Sequence, residues 1–151
     1  MLDDTDRRIL RQLQAGPGLA ASALAERAGT TAATCIRRIE RLRARGIIRG
    51  QHMRICWPAL GYAVEVSLRI TLDKTARNAF DDFLAEARRV PEVIEMQTFL
   101  GRVDVRLSLI ARDMTHYQHI YRHRILTLPH INDIEALMHL SSVKTDPVLP
   151  L

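Results

Sequence analysis

Residues 30–45, TTAATCIRRIERLRAR, constrain this chain more than any other stretch. At helical periodicity Ala32, Cys35, Ile36, Ile39 and Leu42 fall on one apolar stripe. Thr34, Arg37, Arg38, Arg41 and Arg45 fall on the opposite one. The pattern specifies a helix that buries one face and turns a row of arginines to water. Solvated charged helices ordinarily mix signs, because neighbouring acids relieve self-repulsion. Here Glu40 is the only acid between Thr30 and Arg54, so the exposed face suits a polyanion.

The charge distribution assigns this property to one module. Residues 1–54 hold 11 Lys/Arg against 5 Asp/Glu, whereas residues 55–151 hold 11 against 12. A basic third joined to a near-neutral remainder indicates a local binding surface, not a generally basic protein. Cys35 and Cys56 do not make a disulfide framework, and Cys35 on the apolar stripe acts as a small hydrophobe. A reducing cytoplasm is expected. No window approaches the roughly 18 apolar residues of a membrane span, and the acidic start MLDDTD is unlike a signal peptide. No phosphate loop, Ser/His/Asp grouping or paired-carboxylate site stands out, so neither an enzyme nor a cofactor is expected.

Upstream of the arginine helix, Ile9, Leu10 and Leu13 share a helical face behind Asp3, Asp4 and Asp6, acids that suit a helix N-terminus. A turn follows at 15–18, then a short helix at 21–28 that starts at Ala20, a poor cap. Gly29 ends it, Thr30 or Thr31 caps the next helix, and Gly46 closes that one. Two helices around a glycine turn, the second basic, form a helix-turn-helix pattern. Residues 47–51 read as a short strand, a small wing. Domains are expected at 1–54 and 62–151, with 55–61 as linker.

Beyond Gly61 the period changes. Val64, Val66, Leu68 and Ile70 alternate with polar residues, a strand with one buried face. A helix is expected at 75–89, strands at 93–99 and 103–111, a helix at 114–128 and a strand at 131–143. The order β-α-β-β-α-β is ferredoxin-like, so the fold class is α+β, with two helices on one face of a four-stranded antiparallel sheet. An apolar second sheet face would require a cover, which predicts pairing with a second copy. His116, His119 and His123 share a helix face, but no cysteine or fourth ligand accompanies them, so solvated surface histidines are expected and no metal.

The ordered series resembles the Lrp/AsnC (feast/famine) transcription regulators over nearly the whole chain. It comprises Leu2-Asp3, Asp6-Arg7, Ile9-Leu10, Leu24-Ala25, Gly29, Cys35, Arg38, Arg41-Leu42, Gly46, Ile48, Gly50, Pro91-Glu92-Val93, Gly101 with Asp104, Met114 with Tyr117, Leu128-Pro129 and Lys144. The resemblance implies a winged helix-turn-helix followed by a ferredoxin-like RAM-type sensing domain, assembled as homodimers and often octamers. It places Thr31, Ala33, Thr34, Arg37 and Arg38 toward the major groove of double-stranded DNA, with Arg41 and Arg49 nearer phosphates. Arginine forks suit guanine O6/N7, and amides at a helix start suit a phosphate oxygen.

The resemblance also implies a small-molecule effector, often an amino acid, held between sensing domains by the 101–104 turn and the last strand. Here Arg102 stands between Gly101 and Asp104, and Ile134 and Ala136 occupy places where hydroxyls are common. His130 replaces a glycine common after Leu-Pro. These departures suggest a different effector, larger or more apolar, or none. Two other functions stay open: a nucleoid-organising protein that wraps DNA with little sequence preference, and a siroheme-decarboxylase-like enzyme with the same two-domain layout.

Overall fold

The computed structural model describes every residue except 1, 17, 52, 54 and 145–147. The chain forms two compact units, Met1–Arg54 with Lys144–Leu151, and Ile55–Val143. The first contains helices α1 (Asp4–Ala15), α2 (Ala21–Arg27) and α3 (Ala32–Ala44). Asp3 caps α1 in a reciprocal capping box with Asp6, whereas Ala20 gives α2 no side-chain cap. Gly29 takes φ 64°, left-handed backbone that glycine adopts without a Cβ penalty, and turns the chain from α2 into α3. Thr31 caps α3, its hydroxyl accepting the Thr34 N–H at 3.3 Å. Ile9, Leu24, Ala25, Ala28 and Cys35 form the core of this unit, with Leu13, Leu19 and Ile39 against it.

Three sequence expectations change here. Ala32 is exposed and Ile36 is 45% exposed, so the buried stripe of α3 runs through Cys35, Ile39 and Leu42. Residues 47–51 form no strand. The Ile47 and Ile48 N–H groups both donate to the Leu42 carbonyl, which leaves them none for a ladder. The last residues, grouped by sequence with the second domain, pack with the first: Leu149 N–H donates to Gln14 Oε1 at 2.7 Å, and Arg11 Nε donates to the Leu151 carbonyl.

In the second unit a 3-10 turn (Trp57–Leu60) leads into β1 (Val64–Leu72). There follow α4 (Ala79–Ala87), β2 (Val93–Thr98), β3 (Val105–Ala111), α5 (Met114–Ile120) and β4 (Ile131–Met138). The strands form one antiparallel sheet in the order β2-β3-β1-β4. Val66, Leu68 and Ile70 of β1 and Val105, Leu107 and Leu109 of β3 pack against Phe83, Tyr117, Ile120 and Ile125 of the helices. Helix α5 widens at its end into a π turn (Tyr121–Ile125), where Leu126 N–H reaches back to the Tyr121 carbonyl at 2.9 Å. The extra residue brings Ile125 into the core and leaves Arg124 outside, ion-paired with Glu92 at 3.1 Å.

The other sheet face is not the apolar surface expected from the pattern. Glu65, Ser67 and Arg69 of β1 lie beside Arg106 and Ser108 of β3 and Glu135 of β4. Arg69–Glu135 and Arg106–Glu95 pair at 3.3 Å, and His139–Glu65 at 3.6 Å. Among the described residues no helix is long and apolar enough to cross a membrane.

Candidate nucleic-acid interface

Helix α3 presents Ala33, Arg37, Glu40 and Ala44 on one exposed stripe, spaced i, i+4, i+7 and i+11. Ile36 borders this stripe on one side and Thr34, Arg41 and Arg45 on the other. Arg37, Arg43, Arg45 and Arg49 are exposed and, among the described residues, their side chains make no hydrogen bond or ion pair. Their guanidinium groups are free for an external anion. The small side chains of Ala33 and Ala44 let the helix axis approach closely between them.

Arg38, expected among the base-facing residues, is turned inward, on the flank of α3 that meets α1. Its Nη1 donates to Asp3 Oδ2 at 2.6 Å and to Asp6 Oδ1 at 2.9 Å. Its side chain is 22% exposed, that of Asp6 fully buried. Arg41 Nη2 reaches the same carboxylate, at 2.9 Å to Oδ1 and 2.8 Å to Oδ2, while its side chain stays half exposed. The capping box of α1 is thus also the ion-pair partner of α3. The Arg38 hydrogen bond, then the Asp6 N–H, hold the Asp3 carboxyl at about 2. Desolvation pushes Asp6 up, but its hydrogen bonds from Arg38 and the Asp3 N–H and the charge of Arg41 outweigh it, leaving it below its ordinary value.

Arg8, not singled out by sequence, donates from Nε to the Ala28 carbonyl at 3.0 Å and fixes the start of the helix-turn-helix turn against α1. Only its place on the α1 face that carries Asp4 and Arg11 marked it as exposed. Burial pushes the Cys35 thiol up, in keeping with a packed and unreactive side chain.

In the second unit, the candidate effector residues lie around the C-terminal end of β1. Ile70 pairs with Val105 on one side and Ile134 on the other, and Ala136 lies two residues further along β4. Gly101 sits in an open turn where an added Cβ would meet nothing within 4 Å, and its φ is not left-handed. Arg102 is exposed and its carbonyl accepts from the Thr71 hydroxyl at 3.0 Å. Asp104 is buried and committed to the fold: Oδ2 accepts the Leu72 N–H at 2.9 Å, and Oδ1 faces Lys74 Nζ at 3.3 Å. Asp104 therefore ties the hairpin to the end of β1. Gly101 and Arg102 are the residues of that turn left open.

The family model described as winged helix-turn-helix DNA-binding matches residues 2–49, and the Lrp/AsnC ligand binding domain matches residues 65–149. The chain belongs to the Lrp/AsnC family. Relatives include the HTH-type transcriptional regulator Zrp of Zymomonas mobilis, 29% identical over 99% of this chain and 97% of that protein. The leucine-responsive regulatory protein of Escherichia coli is 29% identical over 95% of this chain and 87% of its own length. A transcriptional regulator of Neisseria meningitidis, solved in complex with L-methionine, superposes with a TM-score of 0.92 at 28% identity, covering 99% of this chain and 97% of that one.

As a Lrp/AsnC member the chain is a DNA-binding transcriptional regulator and not an enzyme, so the decarboxylase alternative falls. The histidines of α5 have local partners. His116 Nδ1 accepts the Arg112 N–H at 3.2 Å and its Nε2 lies 4.0 Å from Glu92, which links α5 to the start of β2. The exposed rings of His119 and His123 lie 4.6 Å apart between centroids, tilted by 43°.

Proposed function

We propose that this regulator reads DNA with the exposed stripe of α3 and answers to an amino acid or related metabolite. In this reading Arg37 faces base edges between Ala33 and Thr34, with the Thr31 end of α3 near a phosphate. Arg41 and Arg49 contact phosphates. The observation that carries it is the division of the α3 arginines: Arg38 is consumed by Asp3 and Asp6, while Arg37 is exposed on the outward stripe and, among the described residues, unpaired. Arg41 has a second role, since a half-exposed guanidinium already oriented by Asp6 loses less freedom on meeting a phosphate.

A second copy on the open sheet face would give a dimer that carries two such helices, as two-fold DNA readers do. Arg106 supports this assembly, because its Nε is buried on that face without an acceptor among the described residues. Larger assemblies up to an octamer follow the same logic, and the setting is the cytoplasm. The effector is an amino acid with an apolar side chain, for which the exposed Ala136 and the half-buried Ile134 are suited, with Gly101 in an open turn at the same end of the sheet. The Neisseria relative holds an amino acid of that class.

The test is binding to the upstream region of the chain's own gene and to random duplex DNA across a salt series. A specificity ratio of about a thousand or more is expected. A ratio near one would instead identify a DNA-wrapping organiser. Calorimetric titration with the twenty amino acids tests the effector, and preference for a small polar one would overturn that part.

A further inference from the structure

Glu40 is the one carboxylate on a helix otherwise set with arginines, and it is neither neutralised nor turned away. It is exposed, it shares the stripe of Arg37, and among the described residues its carboxylate makes no hydrogen bond or ion pair. An arginine lies three residues away on each side, at 37 and 43, yet no pair forms. Against a polyanion such a charge lowers affinity for every sequence alike unless it meets a donor. One turn before it, Ile36 stands 45% exposed and outside the core cluster of its unit. The two form an i,i+4 pair, so their side chains adjoin on one border of the outward stripe. The other border, with Thr34, Arg41 and Arg45, is polar and basic; on the Ile36 border the one basic residue is Arg43, two turns further on. The helix thus offers phosphate-directed chemistry on one border and an acceptor beside a methyl-bearing surface on the other.

We infer that Ile36 and Glu40 determine base preference, Glu40 accepting from the N4 amino group of a cytosine and Ile36 packing on the methyl of a neighbouring thymine. The inference rests on α3 lying in the major groove. There the exposed cytosine amino group is a donor and the thymine methyl is the apolar feature. An unpaired carboxylate then acts as a selector: it rewards one base and repels the DNA wherever that donor is missing.

The experiment is selection of the full-length protein on a randomised duplex library, followed by sequencing, for wild type, Glu40→Gln and Ile36→Ala. Wild type should enrich a motif with a cytosine and a nearby thymine. Glutamine suits adenine N6/N7, so Glu40→Gln should convert that single cytosine preference to adenine, with about a tenfold or larger change in relative affinity. Ile36→Ala should erase the thymine preference and leave the rest of the motif intact. Both side chains are exposed, and unchanged thermal unfolding of the variants checks that the fold is kept. Recovery of the wild-type motif by Glu40→Gln overturns the inference, as does a uniform gain in affinity for all sequences. An unchanged thymine preference in Ile36→Ala overturns the role of Ile36. If wild type itself enriches no motif, sequence-specific reading by α3 fails, and this inference with it.

Discussion

Arg41 and Asp6 meet through both carboxylate oxygens, at 2.9 and 2.8 Å, although 35 residues of chain separate them. The contact joins the first turn of one helix to the third turn of another. It also assigns Asp6 two tasks, since the same carboxylate belongs to the capping box of α1 and receives Arg38.

Replacing Asp6 should therefore cost more than a lost cap. Removing one member of a buried ion pair leaves its partners uncompensated, at roughly 3–5 kcal/mol when all are buried. Arg41 is half exposed and recovers water, so Asp6→Asn is expected to lower stability by about 2–3 kcal/mol. Denaturant unfolding followed by circular dichroism measures it. A loss no larger than that of a simple cap, about 1 kcal/mol, would show that the arginines contribute nothing.

The same cluster makes the first unit sensitive to acid. Both carboxyls are held below their ordinary values, Asp3 at about 2 against 3.8. The unfolded chain thus takes up protons before the folded one does. The resulting stability is complete above about pH 4 and is lost as the pH falls toward 2. Melting temperatures recorded from pH 5 to pH 2 should drop steeply in wild type and less in Asp3→Asn. Equal slopes in the two proteins would contradict the assignment.

Much of this architecture was legible because it rests on periodicity. The alternation of Val66, Leu68 and Ile70 marked a half-buried strand, and Gly29 between two short helical patterns marked the turn before α3. Arg38 and Ile36 were misplaced for one reason: a wheel sorts residues by polarity. A charged side chain can be drawn inward by a carboxylate far away in sequence, and an apolar one can be left outside. Asp3 and Asp6 carried the missing signal, as two acids three apart facing two arginines three apart, but only the fold brings the pairs together. The π turn left a trace as well. Ile120 and Ile125 are both buried at a spacing of five, where an unbroken helix would have turned Arg124 inward. The polar register of the open sheet face was visible in Glu65, Ser67 and Arg69, yet only the pairing showed that it continues through Arg106, Ser108 and Glu135, with Ile110 and Leu137 interrupting it.

The hairpin separates structure from response. Asp104→Ala removes both the carboxylate that faces Lys74 and the acceptor for the Leu72 amide, and should cost about 1–3 kcal/mol. Gly101→Ala meets no atom within 4 Å and needs no left-handed backbone, so its stability should stay the same or rise by about 0.4–1 kcal/mol. A change in amino-acid response in Gly101→Ala, with stability retained, would place the turn at the effector. A response identical to wild type would remove it.

Arginines of similar appearance on α3 should separate into two kinds when each is replaced by alanine. Arg37→Ala loses a side chain with no partner among the described residues, so thermal unfolding should be unaffected while discrimination between a selected site and random DNA falls by roughly 1–3 kcal/mol. Arg38→Ala loses the partner of Asp3 and Asp6, so unfolding should shift first, and DNA affinity only as far as α3 moves. Arg49→Ala is expected to behave as a phosphate contact, lowering the slope of log affinity against log salt by about one and leaving base preference unchanged. Parallel melting curves and salt series on the three variants decide the matter. A destabilised Arg37→Ala beside an unperturbed Arg38→Ala would reverse the assignment of the two neighbours and turn the outward face of α3 toward Arg38.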